Sequence, residues 1–308
     1  MTKDLVKILE CPHCRGDISL AAPMTNGVGQ LICSECKKTT PIRRGIPRFA
    51  ATDSYTASFS DEWNRFRTTQ LDSHNRSGES EERFRQSWDE PLEHLRGKRV
   101  LDGGCGMGRF AEVALRHGAH VVGVDLSYAI DAARENLKSW QPLDLLQADL
   151  LSLPLKPASF DFIYSLGVLH HTPDPKQGLL NLVRLLKPSG KISITLYAGY
   201  NRVYMRSAER WRRLTTRLPR RAVYLLSTLA VPLYYLYRLP LIGAVGQGIF
   251  PISMHPKAAW RVLDTFDCYT PRYQSYHTHF EVFRWFQEAG LKEIRVLEPG
   301  ISMQGTKP

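Results

Sequence analysis

The sequence predicts an α/β protein: a mostly parallel sheet with helices on both faces, preceded by a small metal-binding unit and interrupted by a helical insertion. Three observations carry this expectation. From Gly97 to about residue 198, apolar strand patterns alternate with helical ones, and such alternation means a parallel sheet with right-handed crossovers. A glycine-rich turn follows the first of those strands, where such sheets bind ligands. Four of the six cysteines fall in the first 36 residues, as two C-x-x-C pairs. The expected fold is therefore Rossmann-like, with residues 1–50 as the metal-binding unit, 51–96 as a helical linker, and 97–308 as the main domain with its insertion at about 200–278.

Composition narrows the function. A chain of 308 residues that is 43% apolar can bury a sizeable core and is not disordered. Its 41 Lys and Arg against 30 Asp and Glu give a net charge of +11, which favours phosphate-bearing partners: nucleic acid, anionic lipid or a phosphorylated small molecule. The opening MTKDLVKILECPHC lacks an apolar run followed by a small-residue cleavage site. We therefore expect no secretory signal and a cytoplasmic protein whose thiols stay reduced.

Cys11, Cys14, Cys33 and Cys36 form C-x2-C-x18-C-x2-C, a spacing that lets two tight knuckles present four thiolates tetrahedrally to one Zn2+. Two disulfides are the competing reading, and a reducing compartment opposes it. His13 lies inside a knuckle between two better ligands and is expected to be a solvated loop residue. Fewer than fifty residues build little core, so the metal is expected to supply folding energy and to have a structural role. The segment ILECPHC…LICSECKKTTPIRRGIPRF resembles the small zinc-ribbon domain that is fused to some bacterial methyltransferases and that also occurs as a separate activator of eukaryotic RNA and protein methyltransferases. The resemblance covers about residues 7–49 and includes Gly45-Ile46-Pro47.

The linker SFSDEWNRFRTTQLDSHNRSGESEERFRQSW reads as two short aromatic helices around a polar stretch. It is expected to fold over the ligand pocket and exclude water; a plain linker is the alternative.

In the main domain KRVLDGGCGMGRF reads as strand, glycine turn and helix start, followed by strands in AHVVGVDLS, LDLLQADL, FDFIYSLGVL and KISITLYA. Gly104, Gly106 and Gly108 alternate, and Arg109 stands where a dinucleotide fingerprint requires Gly or Ala. Asp125, ending the second strand, is placed to accept hydrogen bonds from two ribose hydroxyls. A nucleoside without a pyrophosphate clamp is the implied ligand.

The ordered series VLDGGCGMGRF, VVGVDLS, LQADLLSLPL, FDFIYSLGVLHHTPDP and LLKPSGKISITLY resembles the motifs of class I S-adenosylmethionine-dependent methyltransferases. The nearest likeness is to the small-molecule branch that includes quinone-biosynthesis enzymes. It runs over about residues 97–200 and returns in WFQEAGLKEIRVLEPGISMQGTKP. It implies a seven-stranded sheet and the following roles: Asp102, Gly104, Gly106 and Gly108 hold the amino acid part of S-adenosylmethionine. Asp125, with Leu126 beside it, holds the ribose; Asp149 and the Leu150 backbone meet the adenine; Ser165 to Gly167 line the methionine side. Gly103 departs from the Ala or Ile frequent in the family, a mild change.

Methyl transfer needs positioning and, when the nucleophile carries a proton, a base. His170 and His171 follow the fourth strand at the ligand-binding edge and are the candidates, one of them expected to be structural. SLGV at the end of that strand is unlike the Asn/Asp-Pro-Pro-aromatic signature of amine methylation, so a hydroxyl or carbon acceptor is expected. Tyr269, Arg272, Tyr273, Tyr276, His277 and His279 form a candidate acceptor wall or, equally, a core patch. Cys105 and Cys268 are read as packing residues.

Finally, residues 202–218 read as a basic amphipathic helix ended by Pro219. Arg206, Arg210, Arg213, Arg217 and Arg220 lie in one stripe, with Tyr204, Ala208, Trp211, Leu214 and Leu218 opposite. The uncharged run of sixteen residues after Arg221 is too short and too broken by Pro232 to span a bilayer. The insertion is expected to lie on an anionic membrane and admit a small, apolar or lipid-linked acceptor; an ordinary cap or a homodimer interface competes. An RNA methyltransferase ranks behind a small-molecule enzyme, because the basic residues are not interleaved with aromatics along an RNA-binding domain. A non-catalytic cofactor-binding module ranks last.

Overall fold

The computed structural model describes residues 1–50, 57–298 and 300–308. Residues 51–56 of the expected linker and Pro299 lie outside the described residues.

The N-terminal unit consists of α1 (Lys3–Ile8) and an antiparallel sheet of β1 (Ile18–Leu20), β2 (Gly29–Cys33), β3 (Thr39–Arg43) and β4 (Ile46–Pro47). After it come α2 (Ala57–Arg65), α3 (Asp72–Asn75) and α4 (Glu79–Gln86). Buried Asp72 starts α4, accepting from the Ser80 and Glu81 N–H groups at 3.1 and 2.9 Å. That satisfies donors a helix N-terminus leaves open.

The main domain alternates as expected: β5 (Arg99–Gly103), α5 (Arg109–Arg116), β6 (His120–Asp125), α6 (Ala129–Asn136), β7 (Leu143–Gln147), β8 (Phe160–Leu166), α7 (Pro175–Leu185) and β9 (Leu186–Leu196). The insertion then supplies α8 (Arg202–Thr215), α9 (Arg220–Thr228), α10 (Ala230–Tyr237), α11 (Pro240–Ile249) and α12 (Ala258–Tyr269). The chain closes with α13 (His279–Glu288), β10 (Lys292–Leu297) and β11 (Ile301–Thr306). The seven strands run in the order β10-β11-β9-β8-β5-β6-β7, with β5 to β9 parallel and β11 antiparallel to both its neighbours. Strands β5 to β8 are mostly buried, with apolar residues such as Val100, Leu101, Val121, Val122, Val124, Leu145, Leu146 and Ile163 at their centres, as a sheet covered on both faces requires. Strand order reverses between β5 and β8, which opens a ligand crevice at their C-terminal ends.

One face of the sheet packs under α4, α5 and α6. On the other, Leu5, Ile8, Leu31 and Ile42 of the N-terminal unit share one core with Leu146, Leu155, Leu182 and Phe286. Backbone pairing joins the two parts as well: Arg48 bridges Gln147 at the end of β7, and Leu9 bridges Leu155. The cysteine-bearing unit thus extends the β7 edge of the main sheet.

The insertion departs from the sequence expectation. Its first helix ends at Thr215, and Pro219 starts the next. Leu214 and Leu218 are exposed, whereas Arg212 is buried. The physical reason is that α8 packs through Tyr204, Ala208, Arg212 and Thr215, an i, i+4, i+8, i+11 face, with Thr215 Oγ1 donating to the Tyr269 carbonyl of α12 at 2.7 Å.

Candidate active site

A cavity of about 950 Å³ opens at the C-terminal ends of β5, β6 and β8. Its floor is the turn after β5. Gly104, Gly106 and Gly108 have φ of 91°, 52° and 94°, the left-handed region that favours glycine. At Gly104 a Cβ would lie 2.3 Å from Val168 Cγ1, so packing requires glycine there. At Gly106 the nearest atom would be Trp63 Nε1 at 3.5 Å, and its backbone faces the cavity.

Asp125 stands at the end of β6, held by its own chain. Oδ2 accepts from the Gly106 N–H at 2.8 Å, and Oδ1 from the Ser127 N–H and hydroxyl at 2.8 and 2.6 Å. Burial raises its carboxyl above the ordinary value, and these three bonds oppose that shift. Leu126, Asp149 and Leu150 continue the wall, with Asp149 Oδ1 accepting from the Leu151 N–H at 2.9 Å. Asp102 lies beneath the turn, buried, with Oδ2 unpartnered, and burial pushes its carboxyl up to about 8.

Not every expected residue reaches the cavity. Ser165 is fully buried and donates to the Gly103 carbonyl at 2.7 Å, latching β8 to β5; the wall there is Leu166, Gly167 and Val168. Gly108 packs against Leu137.

The two histidines differ. His170 is wholly buried and stacked on Tyr197 at 3.8 Å between ring centroids. Both its ring nitrogens lack partners, and burial holds its pKa well below the ordinary value. His171 lines the cavity, and its Nδ1 lies 3.1 Å from the Tyr273 carbonyl oxygen. A carbonyl only accepts, so Nδ1 carries the hydrogen and neutral His171 keeps a free lone pair on Nε2. Burial lowers its pKa, against the pull of the Asp267 charge and the Tyr273 bond.

Several cavity residues escaped sequence reasoning. Glu62 of α2 is 1% exposed, with both carboxyl oxygens unpartnered; burial and the nearby Asp267 and Asp264 raise its pKa well above the ordinary value. Asp264 and Asp267 face the same space from α12, where their i, i+3 spacing was a readable signal. Burial brings Asp264 to about 6, while Asp267 accepts from the Tyr197 hydroxyl at 3.0 Å. Of the expected aromatic acceptor wall, Tyr276 reaches the cavity, whereas Tyr269 is core, stacked on Phe250. The linker lies over the cavity through Phe59, Glu62 and Trp63.

Outside the cavity, the Sγ atoms of Cys11, Cys14, Cys33 and Cys36 all lie within 4.8 Å of one another. The Cys11–Cys36 and Cys14–Cys33 separations are 3.6 and 3.4 Å. Tetrahedral zinc with bonds of about 2.3 Å sets ligand sulfurs about 3.8 Å apart, so the donor set suits such an ion. Arg15 and Lys37, each directly after a pair, close the two knuckles with φ of 64° and 59°. His13 is exposed, and no disulfide joins the cysteines.

A Rossmann-like sheet of seven strands with a glycine turn, a strand-end carboxylate and a cavity between β5 and β8 is the arrangement of α/β folds that bind a ligand at the strand ends. Residues 101–194 match the family described as Methyltransferase domain. The chain is 35% identical over 119 residues to O-methyltransferase rstn1 of Aspergillus nomiae, covering 37% of this chain and 52% of that protein. It is 42% identical over 101 residues to the ubiquinone biosynthesis O-methyltransferase of Idiomarina loihiensis, covering 32% and 42%. A solved S-adenosylmethionine-dependent methyltransferase from Mesorhizobium loti is 32% identical, with a TM-score of 0.32 over 38% of this chain and 51% of that one. The chain spans about half the length, or less, of the curated relatives it matches. Over this stretch of the main domain the chain is thus similar to methyltransferases.

Proposed function

We propose that the protein transfers the methyl group of S-adenosylmethionine to a hydroxyl of a small, apolar or lipid-like acceptor, with His171 as the base. The observation that carries this is that His171 lines the cavity beyond the glycine turn with Nδ1 3.1 Å from the Tyr273 carbonyl, which leaves Nε2 of the neutral imidazole to accept a proton. S-adenosylmethionine supplies an electrophilic methyl carbon on a sulfonium. The chain's own part is to hold an acceptor oxygen in line and to take its proton on Nε2. The O-methyltransferase relatives favour a hydroxyl over a carbon acceptor.

Asp125 would take the ribose hydroxyls, Asp149 and Leu150 the adenine edge, and Asp102 with the turn Gly104 to Gly108 the amino acid end. The open backbone at Gly106 suits such a ligand, while Asp102, buried beneath the turn and outside the cavity lining, would act through the turn it supports. Zinc on the four cysteines would be structural, since four thiolates leave no open position. No observation favours RNA as acceptor.

The test is transfer of isotope-labelled methyl to lysate small molecules and lipids, read by mass spectrometry. His171→Ala should slow turnover about a hundredfold or more with cofactor affinity nearly intact, and His170→Ala should chiefly cost stability. Asp125→Ala should weaken S-adenosylmethionine binding by about 1.5 to 3 kcal/mol in calorimetry. Full activity in His171→Ala would remove the base, and binding of NAD in place of the methyl donor would end the reading.

A further inference from the structure

The insertion carries an apolar surface that no element covers among the described residues. Leu225, Leu229, Pro232 and Leu236 are spaced four, three and four along α9 and α10, and all four are exposed, as is Leu239 just beyond α10. On α11, Leu241, Val245 and Ile249 repeat every four residues and are 84%, 63% and 65% exposed. Spacing of three and four residues puts each set on one helix face. α11 lies against α8, whose Ser207 hydroxyl and Trp211 indole N–H both donate to the Ile249 carbonyl, at 3.0 and 2.6 Å. The neighbouring Gly248 faces Val203 of α8, itself exposed. The apolar face therefore reaches the outward stripe of α8, where Arg206, Arg210, Arg213 and Arg217 stand in solvent.

Charge decides what can cover this face. Between Arg202 and Leu263 the sequence holds ten arginines, of which Arg212 and Arg261 are buried, one lysine and a single acid, Glu209, and Glu209 is already paired with Arg213. A second copy would present the same patch, because a two-fold interface is isologous, and so would bring no free acid to meet the arginines. An anionic bilayer meets the arginines with phosphates and the leucines with its acyl boundary. Tyr235, 67% exposed on α10, is the residue type that sits at headgroup level. No helix among the described residues is long and apolar enough to cross a membrane, so the contact is peripheral.

We propose that α8 to α11 form a face that docks the enzyme on an anionic membrane surface. The consequence for the site follows from the first turn of α8. Asn201, Tyr204 and Met205 line the cavity while Val203 points outward, so docking brings the cavity beside the lipid. The proposal rests on the apolar-acceptor reading only for what then enters the cavity; the docking itself stands on the surface.

Vesicle flotation of the full chain, without cofactor or acceptor, tests it. The protein should float with phosphatidylcholine vesicles containing phosphatidylglycerol, remain at the bottom with phosphatidylcholine alone, and lose binding as salt rises. Replacing Arg210, Arg213 and Arg217 by Glu should lower partition about a hundredfold or more, the worth of three surface arginines. Leu241→Glu with Val245→Glu should also abolish flotation while Tm and S-adenosylmethionine affinity stay at wild-type values, since both side chains are solvent-exposed. Wild type that fails to float with anionic vesicles at low salt overturns the proposal. A dimer dissociated by Leu241→Glu overturns it too, and assigns the face to a second copy. A failed methyl-transfer assay alongside normal flotation would instead count against the acceptor reading alone.

Discussion

Hydrogen bonding from Nδ1 to the Tyr273 carbonyl makes His171 a proton acceptor at the cavity, and its surroundings set when it works. Burial is the largest influence and lowers its pKa from the ordinary 6.5; the Asp267 carboxylate pulls the other way. If His171 is the base, kcat/KM rises with pH through an inflection below that ordinary value. Asp267→Asn removes a negative charge that favours the imidazolium, so the inflection should move lower still. A purely structural His171 would leave the profile where it was. Glu62 offers a stability test on the neighbouring wall. Its carboxyl titrates near 4.5 in an unfolded chain and well above that when folded. Above about pH 4.5 the folded state therefore keeps a proton that the unfolded state has released, and stability falls as pH rises toward the folded value. Glu62→Gln carries no such penalty. The variant's Tm should match wild type below pH 4.5 and exceed it increasingly toward neutrality; a constant difference across pH would show that the side chain is not held as a neutral acid.

Between elements, a chain of bonds links the N-terminal unit to the cavity wall at Leu126. Arg48 donates to Gln147 Oε1 at 3.2 Å, and Gln147 Nε2 donates to the Leu126 carbonyl at 3.1 Å; Arg48 is also paired with Asp131 of α6 at 2.7 Å. Arg48→Met should therefore raise KM for S-adenosylmethionine about two- to tenfold, the worth of one hydrogen bond, with kcat unchanged. Metal removal should act on the same junction. Cys11 and Cys33 belong to the core shared with the main sheet, so chelation should lower the Tm of the whole chain in one calorimetric transition, without a separate melting of residues 1–50. These couplings were not readable from spacing, which treats each unit alone. What was readable had strong local causes: buried apolar runs for β5 to β9, glycines at positive φ in the turn, and a carboxylate at the end of β6. Glu62, Asp264 and Asp267 went unnoticed because a polar residue on an amphipathic helix reads as solvated until another helix covers it. Arg212 was missed for the same reason, since its burial depends on α12.

At the scale of the molecule, α2 touches both ends of the cavity. Trp63 borders the Gly106 backbone at the glycine turn, and Phe59 lies 5.1 Å from the His171 ring at the other end. The same helix is tied down on two sides, by the Tyr128 N–H donating to Ser60 Oγ at 3.0 Å and by Trp63, which packs with Phe66 just beyond the helix against Leu263 of α12. A short helix over a site that must exclude water can still move when a ligand binds beneath it. Cofactor binding against Gly106 should therefore order α2 and change the surroundings of Trp63. Two measurements follow. Hydrogen exchange across 57–65 should slow on adding S-adenosylmethionine, and the accompanying change in tryptophan fluorescence should disappear in Trp63→Phe, which keeps an aromatic ring in place. Equal exchange with and without cofactor would mean that α2 is a fixed wall, and that water is excluded by other elements.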